Sequence, residues 1–211
     1  MIVHCNRHTA QAEDIAAETG GVVMQADLAD FAQIDEMVDA VIRQFGCIDV
    51  LVNNAGIALS GLFQDITDED ALRLFAVDVG GTMHTAKRVL PYMLRAHKGS
   101  IVNVASVWGE TGAACEVHYS AAKAAVIGFT KALAKETGLS GVRVNCVSPG
   151  VIDTDMNRMH GEETMLALAE ETALGRIGTP EEVAEVIAFL ASEKAGFITG
   201  QVIPVNGGFH I

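Results

Sequence analysis

Tyr119 and Lys123, four residues apart in Tyr119-Ser120-Ala121-Ala122-Lys123, form the strongest chemical pairing in the sequence. On a helix, positions i and i+4 share a face, so a phenol and an ammonium project into one site. A tyrosine titrates near pH 10 and a neighbouring cation favours its ionised form, each unit of downward shift being about 1.4 kcal/mol of differential stabilisation. Such tuning suits a general acid/base working near neutral pH. A lone YxxxK pair is also what a solvated helix surface produces by chance, so its neighbours matter. Ser106 ends the run SIVNVA (100–105) and can donate a hydrogen bond to a carbonyl oxygen on which charge develops. Asn53-Asn54-Ala55-Gly56 follows DVLVN (49–53), where small residues let the backbone approach a flat ligand closely. An ordinary Asn/Gly turn would read the same way. Pro149-Gly150 makes a sharp exit after VRVNCV (142–147), and Val151-Ile152-Asp153-Thr154 adds backbone groups and a hydroxyl.

These groups follow strands, and the strands alternate with helices. Short apolar runs at 2–5, 22–26, 49–53, 100–105, 142–147 and 201–205 are separated by amphipathic stretches near 9–18, 31–45, 68–97, 118–138 and 180–192. Near-continuous apolar strands suit a parallel sheet covered on both faces by crossover helices. The fold class expected is therefore α/β, a doubly wound, mostly parallel sheet in a single domain spanning 1–211. In open sheets of this type ligands bind beyond the C-terminal strand ends, where the chemical groups cluster. The helix near 118–138 carries Ala121, Ala122, Ala124, Ala125, Gly128, Ala132 and Ala134 around most of its circumference. Small residues on nearly every side predict burial on more than one side, against the sheet and against either its own chain or a second subunit.

Composition narrows the partners. The formal net charge of -13, from 27 acidic and 14 basic residues, argues against nucleic acid and anionic membrane. No apolar run approaches the roughly 20 residues that span a bilayer and no basic-then-apolar leader opens the chain, so a cytoplasmic protein is expected. Cys5, Cys47, Cys115 and Cys146 lie far apart and the seven histidines are scattered, so reduced thiols and no metal site are expected.

Taken in order, NNAG after one strand, a serine after the next, then YxxxK, then PGxIxT, the sequence resembles the short-chain dehydrogenase/reductase family, from residue 1 through the closing ITGQVIPVNGG. The resemblance implies a Rossmann-type oxidoreductase in which Tyr119 gives a proton to the substrate oxygen while a nicotinamide supplies hydride. It also implies that Lys123 holds the nicotinamide ribose and depresses the Tyr119 pKa, and that Ser106 orients the carbonyl. Asp27 and Leu28 in QADLAD match the family's adenine contacts. Asn54, Ala55 and Gly56, with Pro149, Gly150, Ile152 and Thr154, match the positions along the rest of the cofactor. Within the family the pattern looks most like the 3-oxoacyl-[acyl-carrier-protein] reductases of fatty acid synthesis, which implies a small-molecule or carrier-bound 3-oxoacyl substrate and a homodimer or homotetramer; the alternatives are an inactive homologue acting only as a partner subunit, or a reductase or dehydrogenase of another small alcohol or ketone. Arg95, His97 and Lys98 offer a small basic cluster for an acidic carrier, and the Met- and Ala-rich stretch 155–178 falls where the family varies its substrate lid.

Three departures from the family stand out. Asp78, in FAVDVGG, occupies the position of the family's active-site asparagine, adding charge and losing the amide donors. The end of the first strand here reads His4-Cys5-Asn6-Arg7-His8, without the acidic residue that binds ribose hydroxyls in NAD-preferring members. Arg7 can instead pair with a 2′-phosphate, which favours NADP(H) over NAD(H). Finally, MIVHCNR matches the family's second strand, so the first strand and the TGxxxGxG turn, on the order of 30 residues, are expected to be missing. IVHC is then expected opposite DVLVN across about two strand spacings, roughly 9.6 Å, unless 2–5 and 22–26 move inward to pair with 49–53.

Overall fold

The computed structural model describes residues 1–158 and 161–211; Met159 and His160, within the stretch 155–178, lie outside the described residues. Strand β1 (Ile2–Cys5) leads through helix α1 (Thr9–Thr19) to β2 (Val22–Gln25), and α2 (Phe31–Phe45) to β3 (Val50–Asn53). Helices α3 (Asp68–Phe75) and α4 (Thr82–Ala96) are joined by a π-helical segment, Ala76–Gly81. There follow β4 (Gly99–Val104), the short α5 (Trp108–Thr111), α6 (Val117–Thr137) and β5 (Val142–Pro149), then α7 (Asp155–Arg158), α8 (Glu162–Glu170), α9 (Pro180–Ala191) and β6 (Val202–Val205).

Local chemistry sets the helix ends. The Asp30 carboxylate accepts the Ala32 and Gln33 N–H groups at the start of α2, and Gly46 closes that helix in a left-handed conformation. Pro180 opens α9, where the Glu182 carboxylate takes the Thr179 N–H at 2.9 Å. The stretch read from sequence as one helix over 68–97 is instead interrupted by the π turn, a device that redirects side chains within a helix.

All strand pairs are parallel, in two groups: β1–β2, and β3–β4–β5–β6. Alternation along the strands feeds two cores. Ile101, Val142 and Val144 pack with Ile34 and Val38 of α2, Val89 and Met93 of α4, and Ala134 of α6. On the other face Val102 and Val147 pack with Val183 and Leu190 of α9. The sheet is thus wound on both faces, which is the expected α/β architecture.

The edges of β1 and β3 face each other without pairing, so of the two arrangements expected the strands take the open one. Between them lies a cleft of about 870 Å³ whose walls include Ile2, His4, Arg7, Asp27, Leu51 and Asn54. Val50 and Val52 are exposed beside it, whereas the core of the neighbouring β4 is buried.

Helix α6 buries Tyr119, Ala122, Lys123, Val126, Thr130, Ala134 and Thr137, while Ala121, Ala124, Ala125, Gly128 and Ala132 are exposed. Burial on a second side is therefore not supplied by the described residues. Among the described residues no helix is long and apolar enough to cross a membrane.

Candidate active site

Three elements converge on Tyr119. Ser106 lies just past the C-terminal end of β4, and Tyr119 and Lys123 stand one turn apart near the start of α6. Gly109 of α5 brings these elements together: a Cβ there would lie 2.8 Å from the Lys123 carbonyl carbon and 2.9 Å from the Ala124 nitrogen. Only a residue without a side chain lets α5 press onto α6, and that contact seats Ser106 against Tyr119. The Ser106 oxygen accepts the Trp108 N–H at 3.2 Å, and its own proton goes to the Tyr119 oxygen. Pro149 joins the same edge, since its carbonyl accepts the Val107 N–H at 2.9 Å.

Lys123 is buried, and its ammonium donates to the Val104 carbonyl at 3.2 Å while standing 3.0 Å from Asp78 Oδ2. The Asp78 side chain is fully enclosed, and its Oδ1 accepts the Ile57 N–H at 2.8 Å. The ammonium approaches Oδ2 obliquely, so this oxygen has charge contact but no well-directed hydrogen bond. Gly56 completes the enclosure: a Cβ there would sit 2.8 Å from Asp78 Oδ2 and 3.1 Å from Lys123 Nζ. The glycine of NNAG is thus required by the ion pair behind it as well as by the cleft in front.

Burial pushes the Asp78 carboxyl above the usual carboxylate range, against the pull of Lys123 and the Ile57 N–H. The Tyr119 hydroxyl is also raised. Burial is the largest cause; Lys123 and the Ser106 hydrogen bond pull down, and Asp78 and Glu116 push up. The i, i+4 spacing correctly brings the cation near, with Nζ 5.5 Å from the Tyr119 ring centre. Lys123 pulls the Tyr119 pKa down as expected, but desolvation, which the spacing does not report, is the larger effect. Burial lifts the Cys146 thiol to about 11, leaving it unreactive.

The cleft between β1 and β3 gathers Arg7, Asp27, Leu28, Asn54, Ala55 and Gly56 on its walls. Arg73 also lines it and binds the Asp27 carboxylate through two contacts, at 2.9 and 2.8 Å. That bond, with the Ala29 N–H and the charges of Arg73 and Arg7, lowers the Asp27 pKa although burial works the other way. Sequence reading missed Arg73, and its one signal is an arginine within the otherwise apolar run ALRLF. It also missed Glu110, whose carboxylate accepts the Ser148 hydroxyl at 2.5 Å beneath the site. Gly150 follows Pro149 at the end of β5, and its N–H donates to the Val205 carbonyl at 3.0 Å. Ile152 is buried with Val147 and Val183, and the Thr154 hydroxyl faces the Ile152 carbonyl at 3.5 Å. Neither Ile152 nor Thr154 is among the cleft-wall residues.

The basic cluster lies elsewhere. Arg95 and His97 close α4 and Lys98 pairs with Glu193 at 2.8 Å, all at the N-terminal end of β4. Ser106 lies beyond the opposite end of that six-residue strand, about 20 Å away at the rise of a parallel strand. The structure thus places this cluster at the opposite end of β4 from Tyr119.

The family model described as enoyl-(acyl carrier protein) reductase matches residues 1–210. The chain is 38% identical to the uncharacterized oxidoreductase YmfI of Bacillus subtilis, an alignment covering 100% of this chain and 88% of that protein. It is 44% identical to the 3-oxoacyl-[acyl-carrier-protein] reductase FabG of Thermotoga maritima over 88% of this chain and 75% of the relative. In structure it is similar to a gluconate 5-dehydrogenase from Burkholderia cenocepacia solved with NADP and tartrate. That match has a TM-score of 0.92 at 28% identity and covers 99% of this chain and 84% of the other. With the serine, tyrosine and lysine converging at one sheet edge, the chain belongs to the short-chain dehydrogenase/reductase family of oxidoreductases.

Proposed function

We propose that this chain is an NADP(H)-dependent reductase of carbonyl compounds, acting on 3-oxoacyl groups held as thioesters on an acyl carrier protein. The observation that carries the reading is a buried tyrosine hydroxyl hydrogen-bonded to the Ser106 hydroxyl, with the buried Lys123 ammonium one helical turn away. Ser106 donates to the carbonyl oxygen and fixes its position; Tyr119 then delivers a proton to that oxygen as negative charge develops. Lys123 holds the charge balance behind Tyr119, with Asp78 as its counter-ion. A bound nicotinamide supplies the hydride. The residues present fit that group: an open backbone at Gly56, the Asn54 amide and the Arg7 guanidinium share one cleft. A volume of about 870 Å³ is within the roughly 300–1,000 Å³ typical of ligand clefts.

On this reading Arg7 takes the 2′-phosphate, Asp27 and Leu28 lie toward the adenine, and Ala55 and Gly56 border the dinucleotide. Pro149, Gly150, Ile152 and Thr154 lie on the nicotinamide side, as the family resemblance implies. The exposed alanine face of α6 supports a homodimer or homotetramer, because a flat small-residue surface admits close helix packing.

The test follows NADPH absorbance with acetoacetyl groups on carrier protein, with a simple ketone and with a 5-keto sugar acid. The carrier-bound substrate is expected to give the highest kcat/KM. Arg7→Ala should weaken NADPH about 10–100-fold, as loss of one charge-assisted hydrogen-bonding group does, with NADH changing about twofold or less. Equal losses for the two cofactors would remove Arg7 from the phosphate. A preference for the sugar acid would move the substrate assignment to the keto group of a sugar acid.

A further inference from the structure

Among the described ion pairs, Asp78–Lys123 is the one with both side chains buried, at 0% and 6% exposure. Its geometry is fixed from three sides. The Ile57 N–H pins Oδ1, the Val104 carbonyl pins Nζ, and Gly56 leaves the space in which the two charges meet. The π turn supplies the carboxylate, because it places Asp78 against α6 rather than out toward solvent.

We propose that Asp78 is a positioning residue that clamps Lys123 and cancels much of its field at Tyr119, so that the site is built to deliver a proton rather than to take one. A bare ammonium 5.5 Å from the phenol ring would favour the tyrosinate strongly in so enclosed a place. Paired with a carboxylate at 3.0 Å, it presents a dipole whose field falls off faster. The neutral amide of the family pattern lacks the charge to do this.

The other groups facing the phenol leave the balance intact. Glu116, at the start of α6, adds negative charge, and Ser106 contributes a hydroxyl. Leu74, Ile57 and Trp108 pack around Tyr119 as apolar neighbours. Glu110 of α5 is engaged with Ser148. The proposal rests on the carbonyl-reduction reading for its meaning, but its physical content can be measured without cofactor.

The chain has two tyrosines, Tyr92 and Tyr119, so the ultraviolet tyrosinate band resolves into two transitions. Tyr119→Phe identifies the Tyr92 transition by leaving it alone. The titration is read on cofactor-free protein over the range in which circular dichroism is unchanged. In Asp78→Asn the Tyr119 transition is expected at lower pH by about one unit or more, the scale of a buried charge placed this close. The alkaline loss of reduction rate and the rise of alcohol oxidation should move down by the same amount. Asp78→Ser, smaller and neutral, should give the same displacement if the asparagine variant folds poorly. A Tyr119 transition that stays in place in a folded neutral variant overturns the clamp, even where stability falls. Retained turnover in Tyr119→Phe overturns the reaction reading instead, and the two failures are distinguishable.

Discussion

Replacing Tyr119 by phenylalanine is expected to reduce carbonyl reduction by about 10²–10⁴-fold, the usual contribution of a positioned general acid. The ring that packs with Leu74 and Ala122 is retained, so the fold should persist. Only the transferable proton is lost. NADPH affinity should change little, and the deficit should fall on kcat more than on KM, because the phenol proton matters only as charge develops on the carbonyl oxygen. Steady-state kinetics alongside a binding titration separate the two. Turnover within tenfold of the parent would mean that another group is the acid.

Removing Lys123 should have a large effect of another kind. Lys123→Met leaves Asp78 buried without its counter-ion, and breaking a buried pair from one side costs about 3–5 kcal/mol. Burial already raises the Asp78 pKa with Lys123 present, and loss of the cation raises it further. A carboxyl with a raised folded pKa binds its proton more tightly when folded than when unfolded. In the variant, stability should therefore rise as pH falls from neutral through that folded pKa, and fall as pH rises through it. Adding Asp78→Leu removes the stranded charge and should restore most of the loss. Denaturant melts of the single and double variants at two pH values decide this. A single variant within about 1 kcal/mol of the parent would show that the pair carries no such interdependence.

The grouping of Ser106, Tyr119 and Lys123 was readable in the sequence because its spacing is local. Tyr119 and Lys123 are one helical turn apart, and Ser106 follows a strand whose apolar run is plain. Strand positions were readable for the same reason, the β-branched runs coming within one or two residues of their observed ends. What depended on distant partners was not. Arg73 meets Asp27 across 46 residues, and no local pattern links them. The π turn at Ala76–Gly81 reads as ordinary helix in FAVDVGG, so the aim of Asp78 at Lys123 came only with the backbone. Spacing also reports proximity without burial. It therefore put the cation beside Tyr119 but missed that desolvation, the larger effect, raises the hydroxyl. The basic cluster of Arg95, His97 and Lys98 falls away from Tyr119 for a topological reason: a residue just before a strand lies at the opposite sheet edge from a residue just after it.

The central claim, proton delivery by Tyr119 together with hydride delivery to a carbonyl carbon, is tested most directly by isotope transfer. NADPH singly deuterated at nicotinamide C4, on each face in turn, is supplied with a 3-oxoacyl thioester, and the product is weighed and its label located. One of the two labelled forms should yield a 3-hydroxyacyl product carrying a single deuterium on the former carbonyl carbon, and the Tyr119→Phe protein should yield almost none. A product without deuterium from either form, or a ketone recovered unchanged beside folded protein saturated with NADPH, would contradict the account.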